Sequence, residues 1–216
     1  IAKLMGLPVG RFICASNSNN VLTDFFKTGT YDRNRDFHVT ISPSMDILIS
    51  SNLERLLYFI AGAEKTTQYM KDLNEKGVYT VESDVLDVIK SEFSAYCCNE
   101  EDCAKTINAT FDKYSYICDP HTAVAVKAAL DFVKDENTGF KNIVASTASP
   151  YKFAADVLVS LGKEVPEDMK EVLDTLSEIT KTDVPAPLAT LFGKSVRFTK
   201  SVEKSHESLL GEVLSF

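Results

Sequence analysis

The chain of 216 residues is 44% hydrophobic and 25% charged, the balance of an ordinary globular protein rather than a disordered tail or a disulfide mini-protein. No apolar run approaches the ~18 residues that a membrane span needs. Lys plus Arg number 23 against 31 Asp plus Glu, a net charge of −8, and no basic stripe stands out to displace phosphate counterions, so neither a membrane nor a nucleic acid is expected as partner. The length suits one domain or a little more, and the start at Ile1 without a Met reads as a piece of something longer.

Along the chain, short apolar runs alternate with helical patterns. Arg11-Phe-Ile-Cys-Ala-Ser16 reads as a buried strand, and Asn17-Ser-Asn-Asn20 supplies N-cap residues for a helix carrying Val21, Leu22, Phe25 and Phe26 and stopped at Gly29. Ser51-Asn-Leu-Glu54 has capping-box spacing ahead of Leu56, Leu57 and Ile60. Further helices are expected over 64–74 with Gly77 beyond the end, from Ser83 through Ile89, and from Asn99 through Phe111. Residues 114–118 read as a strand, followed by Asp119-Pro120 and a helix over 122–133; residues 142–145 read as another strand, followed by a helix over 151–161. From 167 onward the pattern is helical, broken by a turn at Pro185-Ala-Pro187. Strands separated by helices imply parallel pairing in an α/β sheet flanked by helices.

Five cysteines, Cys14, Cys97, Cys98, Cys103 and Cys118, are odd in number and include an adjacent pair, so they do not spell a secreted disulfide framework. They lack a C-x-x-C repeat and a nearby His, so no metal site is assigned and the thiols are read as buried or idle. Asn108-Ala-Thr110 fits the glycosylation pattern, but with no leader in view it is read as a chance match, and the cytoplasm is the expected compartment.

Ligands of open α/β sheets bind beyond the carboxyl ends of the strands. Three such ends are small and polar here: residues 16–20, 119–122 and 146–150. They offer neutral donors and acceptors, and each precedes a helix N-terminus with its free N–H groups; the same residue types are also what helix caps require. There is no G-x-S-x-G, H-E-x-x-H, P-loop or G-x-G-x-x-G motif. Of His38, His121 and His206, only His121 lies at a polar strand end. The residues alone therefore lead to an α/β domain that binds a small ligand.

Five stretches carry the reading further: residues 10–20, Ser42-Pro-Ser-Met-Asp46, Ser51-Asn-Leu-Glu-Arg55, Asp119-Pro-His-Thr-Ala123 and Ala145-Ser-Thr-Ala-Ser-Pro-Tyr-Lys-Phe153. In this order they closely resemble threonine synthase of the longer bacterial and fungal-type branch, in its carboxy-terminal part. The resemblance implies the tryptophan-synthase-β-like fold, fold type II of the pyridoxal-phosphate enzymes, with residues 1–165 in the large cofactor-binding α/β domain and 166–216 a helical tail packed on it. It implies pyridoxal 5'-phosphate as cofactor of the full-length enzyme and the conversion of O-phospho-L-homoserine and water to L-threonine and phosphate.

The family's Schiff-base lysine and its Gly-Asn-rich phosphate loop lie upstream of the equivalent of Ile1. The chain by itself is therefore expected to be inactive and to bind the cofactor weakly or not at all, its natural partner being the missing amino-terminal part. No catalytic residue is assigned, and Lys152 inherits no role. By its place in the last block, Thr147 is the candidate hydroxyl facing the pyridine nitrogen, with Ser146 the alternate; Asn17, Asn19 and His121 are taken as near the site, without roles. Many relatives have His-Pro where this chain has Ser149-Pro150, and Tyr151 replaces a small residue. Another fold-type-II lyase or dehydratase acting on serine or threonine, and a non-catalytic ligand-binding domain, stay open as alternatives.

Overall fold

A computed structural model describes residues 1–197 and 199–215. Strand β1 (Phe12–Ser16) is followed by helix α1 (Val21–Thr28) and strand β2 (Thr30–Asp32), then by an irregular segment containing one 3-10 turn (Pro43–Met45). Helix α2 (Ser51–Lys76), β3 (Val78–Thr80), α3 (Ser83–Glu92), β4 (Phe93–Cys97), α4 (Glu100–Tyr114) and α5 (Pro120–Glu136) come next. A 3-10 turn at Pro150–Phe153 leads into α6 (Ala154–Ser160) and α7 (Met169–Thr180), and α8 (Ala186–Ala189) and α9 (His206–Leu214) follow. Residues Ile1–Thr182 form one compact unit and those from Asp183 onward a second, whose regular elements among the described residues are α8 and α9.

In the first unit β1 pairs with β4 in parallel, Phe12 opposite Phe93 and Ser16 opposite Cys97. Side chains alternate across a strand, and the two faces meet different helices. Phe93 stacks on Phe26 of α1 at 5.2 Å between ring centres, whereas Tyr96 bonds to Asp135 of α5, and its phenol is pushed up by burial and then by that carboxylate. A second pair, β2 with β3, is antiparallel with Tyr31 opposite Tyr79. Their rings stack at 5.4 Å, and Tyr69 stacks on Tyr79 at 5.3 Å, filling a core with Phe25, Leu57 and Ile89.

Local chemistry accounts for the boundaries. Helix α1 ends at Gly29 and α2 at Gly77, both left-handed with φ of 80° and 78°. Helix α2 contains the two expected helices, separated at Gly62, whose φ of 82° and ψ of 174° are not helical. The anticipated capping box does not form: the cap position is Ser50, whose N–H donates to the Tyr31 hydroxyl at 2.9 Å instead. At α4 the Asn99 side chain accepts from the Asp102 N–H, and at α5 Asp119 accepts from the His121 and Thr122 N–H groups, with Pro120 in the first turn.

Two expected strands are absent. Residues 114–118 are the end of α4 and a coil, because Ser115 turns left-handed (φ 52°) as the cap of a helix that runs one residue into the expected strand. Residues 142–145 have no ladder partner among the described residues, and Ile143 is 96% exposed. Conversely β2, β3 and β4 form where short aromatic segments follow helix ends. The Pro185-Ala-Pro187 turn opens the short α8 rather than merely interrupting a helix. Among the described residues no helix is long and apolar enough to cross a membrane.

Candidate active site

The carboxyl end of β1 delivers Asn17 and Asn19 into the interior, with exposures of 0% and 2%. Their amides hold each other and the loop that follows β2. Asn17 Oδ1 accepts from the Asn19 N–H at 2.9 Å, while Asn17 Nδ2 lies 2.7 Å from Asp46 Oδ1, 2.8 Å from Thr40 Oγ1 and 2.9 Å from Ser42 Oγ. The Asn19 side chain brackets the backbone of His38, accepting its N–H at 2.9 Å and donating to its carbonyl at 2.8 Å. Asp46 is the acceptor at the centre: it also takes the Asn19 amide, the Thr40 hydroxyl and the Thr40 N–H. This half-buried carboxylate is supplied with enough donors to need no cation beside it. The Ser-Pro-Ser-Met-Asp block is thereby clamped beside the end of β1.

The start of α5 forms the adjoining part. Asp119, 1% exposed, caps the helix through Oδ1, and its Oδ2 accepts the Thr122 hydroxyl. His121 Nδ1 lies 2.9 Å from Asp119 Oδ1, and His121 Nε2 lies 3.2 Å from the Ser44 N–H. Since the Ser44 backbone N–H can only donate, Nε2 is the acceptor and the proton sits on Nδ1, directed at Asp119. The imidazole thus joins the Asp-Pro-His-Thr block to the Ser-Pro-Ser-Met-Asp block, and its ring packs against Phe153 with centres 4.7 Å apart. Glu100 adds a further tie by accepting the Ile41 N–H at 2.9 Å.

Ser146 and Thr147 follow on an exposed, irregular segment. Ser146 Oγ lies 3.1 Å from Thr122 Oγ1 and 3.3 Å from the Tyr116 hydroxyl, which attaches the fourth block to the wall. Thr147 makes no hydrogen bond through its side chain among the described residues and presents a free neutral hydroxyl. Of the residues singled out from sequence, Asn17, Asn19 and His121 are committed to internal bonds, Ser146 is partly committed, and Thr147 is available. Thr40, Ser42, Asp46, Asp119 and Thr122 carry as much of the construction and were not singled out. The signal for all of them but Thr40, which lies outside the quoted blocks, was present there, but which member points inward depends on the loop path.

Tyr151, the departure from the family pattern, is buried and donates from its hydroxyl to the Thr182 carbonyl at 2.6 Å, fixing the turn before α6 to the end of α7. The thiols are all free. Cys97 is exposed and Cys98, Cys103 and Cys118 are buried, while burial pushes the Cys14 and Cys118 thiols up to about 11. Among the described residues no group of three or more His, Cys, Asp and Glu is arranged to hold a metal ion.

The family model for the carboxy-terminal part of threonine synthase matches residues 122–209, a span that starts within the Asp-Pro-His-Thr block. The fold agrees over a longer stretch: a pyridoxal-phosphate-bound threonine synthase from Brucella melitensis superposes with a TM-score of 0.75 over 92% of this chain, at 33% identity. The chain belongs to the threonine synthase family. The yeast threonine synthase structure gives a TM-score of 0.72 over 88% of the chain at 31% identity. Among sequences, threonine synthase of Saccharomyces cerevisiae is 34% identical over 205 residues, and threonine synthase-like 1 of Homo sapiens is 44% identical over 170. These matches take in 83% and 77% of the chain but only 40% and 22% of the two relatives, so the chain spans well under half the length of the proteins it matches. Its architecture is the mixed α/β type of the fold-type-II pyridoxal-phosphate enzymes, rich in helix, with parallel strands.

Proposed function

We propose that this chain is the carboxy-terminal portion of a threonine synthase, whose whole polypeptide converts O-phospho-L-homoserine and water to L-threonine and phosphate. Residues 1–165 belong to the large cofactor-binding domain and 166–216 to its helical tail. The observation that carries the reading is the hydrogen-bonded wall in which four separate family-like blocks, around Asn17, Asp46, His121 and Ser146, meet beside the carboxyl end of β1. Such an edge is where α/β sheets place their ligands.

The residues present fit pyridoxal 5'-phosphate at one point that can be tested. A free, neutral hydroxyl at Thr147 would donate to an unprotonated pyridine nitrogen without adding charge, and Ser146, held by Thr122, is the alternate. When bound, the cofactor supplies an electron sink for the substrate carbons. This chain contributes the support: Asp119 fixes the His121 tautomer, His121 holds Ser44, and Asp46 holds Asn17 and Asn19, so the wall behind the cofactor keeps one shape. The Schiff-base lysine comes from the amino-terminal part, and the isolated chain is inactive. The free, largely buried thiols favour a reducing compartment, the cytoplasm.

The decisive measurement is the full-length parent assayed with O-phospho-L-homoserine, following both phosphate and threonine. Equal release of both supports the reading, and phosphate without threonine overturns it. A second reading, a different lyase or dehydratase of the same cofactor fold, is favoured by the 44% identity to threonine synthase-like 1 proteins, a name that specifies likeness rather than a reaction. Turnover of serine or threonine in the same assay would select it.

A further inference from the structure

Four polar side chains of the wall form one hydrogen-bonded chain. Asp119 Oδ2 bonds to Thr122 Oγ1, which lies 3.1 Å from Ser146 Oγ, and Ser146 Oγ lies 3.3 Å from the Tyr116 hydroxyl. Counting protons gives the chain a direction. A Thr hydroxyl has a single proton, and a carboxylate only accepts. Asp119 Oδ1 already takes the His121 and Thr122 N–H groups and faces His121 Nδ1, so Oδ2 is the oxygen left for the Thr122 hydroxyl. A bond to a charged acceptor is roughly twice as strong as a neutral one, so the Thr122 proton goes to Asp119 rather than to Ser146. The Thr122 oxygen can then only accept, and the proton between the two hydroxyls belongs to Ser146. With that proton spent, Ser146 meets Tyr116 as an acceptor, and the phenol donates.

We propose that Asp119, acting through Thr122, is a positioning residue that anchors Ser146 and leaves Thr147 as the hydroxyl with a proton to give. The inference rests on the reading that one of these two hydroxyls faces the pyridine nitrogen of the cofactor, and it decides between them. An unprotonated ring nitrogen needs a donor. Ser146 has none left, whereas the Thr147 side chain makes no hydrogen bond among the described residues and keeps its proton. The anchor is also rigid where it starts: Asp119 and Thr122 are 1% and 2% exposed, and Asp119 is the N-cap of α5. Residues 138–149 form neither helix nor strand, so a side-chain tie one peptide unit away decides where Thr147 stands. One buried carboxylate thus caps a helix, orients His121 and sets the polarity of the hydroxyls beside it.

The test uses the full-length parent loaded with pyridoxal 5'-phosphate carrying a nitrogen-15 label in its ring. The nitrogen chemical shift reports a bonded neutral donor, and cofactor affinity is measured alongside. Thr147→Val should move the shift to that of a free, unprotonated ring. Thr122→Val, which keeps the side-chain shape, should move it part of the way and weaken cofactor binding at least about threefold. Thr122→Ser, which keeps the hydroxyl, should match the parent in both. Ser146→Ala should reproduce Thr122→Val, and the double variant should go no further, because the two break one link. Since Ser146 is exposed, its variant keeps the test open if Thr122→Val does not fold. A shift lost in Ser146→Ala and kept in Thr147→Val makes Ser146 the donor and overturns the inference while leaving the reading of the wall intact. A Thr122→Val protein that matches the parent, or effects of Thr122→Val and Ser146→Ala that add, overturns it in the same way. A shift that neither Thr147→Val nor Ser146→Ala moves overturns the reading itself, and the inference with it.

Discussion

His121 accepts the Ser44 N–H through Nε2 at 3.2 Å while its Nδ1 faces Asp119 Oδ1 at 2.9 Å. One imidazole therefore joins two loops that are 77 positions apart in sequence. Replacing it with Ala removes both bonds and leaves the buried Asp119 short of a donor. We expect His121→Ala to cost about 1–3 kcal/mol, read as a lower urea midpoint with an unchanged slope. His121→Asn, which keeps a polar group near Asp119, should recover part of that loss.

Asp46 collects donors from Asn17, Asn19 and Thr40. Asp46→Ala strands buried amides and should destabilise by about 2–4 kcal/mol in the same titration. Asn17→Ala in the Asp46→Ala background should cost less than it does alone, because the two share one network.

Thr147 carries an exposed hydroxyl next to Ser146, the residue that is tied to Thr122. In the full-length parent, Thr147→Val should lower kcat/KM for O-phospho-L-homoserine at least about tenfold, the equivalent of one hydrogen bond of ~1.4 kcal/mol. Thr147→Ser should keep most of the activity, and Ser146→Ala should have a smaller effect than Thr147→Val. A larger loss at Ser146 would transfer the role to that residue.

Burial raises the Cys14 thiol to about 11, so at pH 8 only about one molecule in a thousand carries the thiolate that reacts. Cys98, Cys103 and Cys118 are buried, whereas Cys97 is exposed. Ellman's reagent should therefore titrate one thiol quickly and four slowly in the native chain, and all five at once in guanidinium. Raising the pH toward 11 should speed the Cys14 reaction, because its thiolate fraction rises through that range.

Gly77 ends α2 with φ of 78°, and a Cβ there would overlap the Asn34 side-chain amide. Gly77→Ala should cost at least about 1 kcal/mol, from the left-handed backbone and from displacing the Asn34 amide, which bonds to the Lys76 carbonyl. Asn34→Ala combined with Gly77→Ala should be less destabilising than the sum of the two in a thermal unfolding cycle.

By itself the sequence determined much of the local structure: the 3.6-residue spacing of Val21, Phe25 and Phe26, the caps at Asn99 and Asp119, and the stops at Gly29 and Gly77. These features depend on residues within a turn or two of one another, so a linear reading can see them. It also determined the family, because the blocks around Asp46, Asp119 and Thr147 are chemically distinctive as strings. Tertiary structure decided the strands and the wiring of the site. Residues 142–145 look like a strand but lack a neighbour, whereas residues 93–97 become one because β1 lies alongside. Likewise nothing in the string shows that Asn17 turns inward to Asp46 or that His121 holds Ser44. A ladder or a buried hydrogen bond needs a partner brought close by the folding of distant segments, and that proximity is a property of the packed chain rather than of any stretch of it.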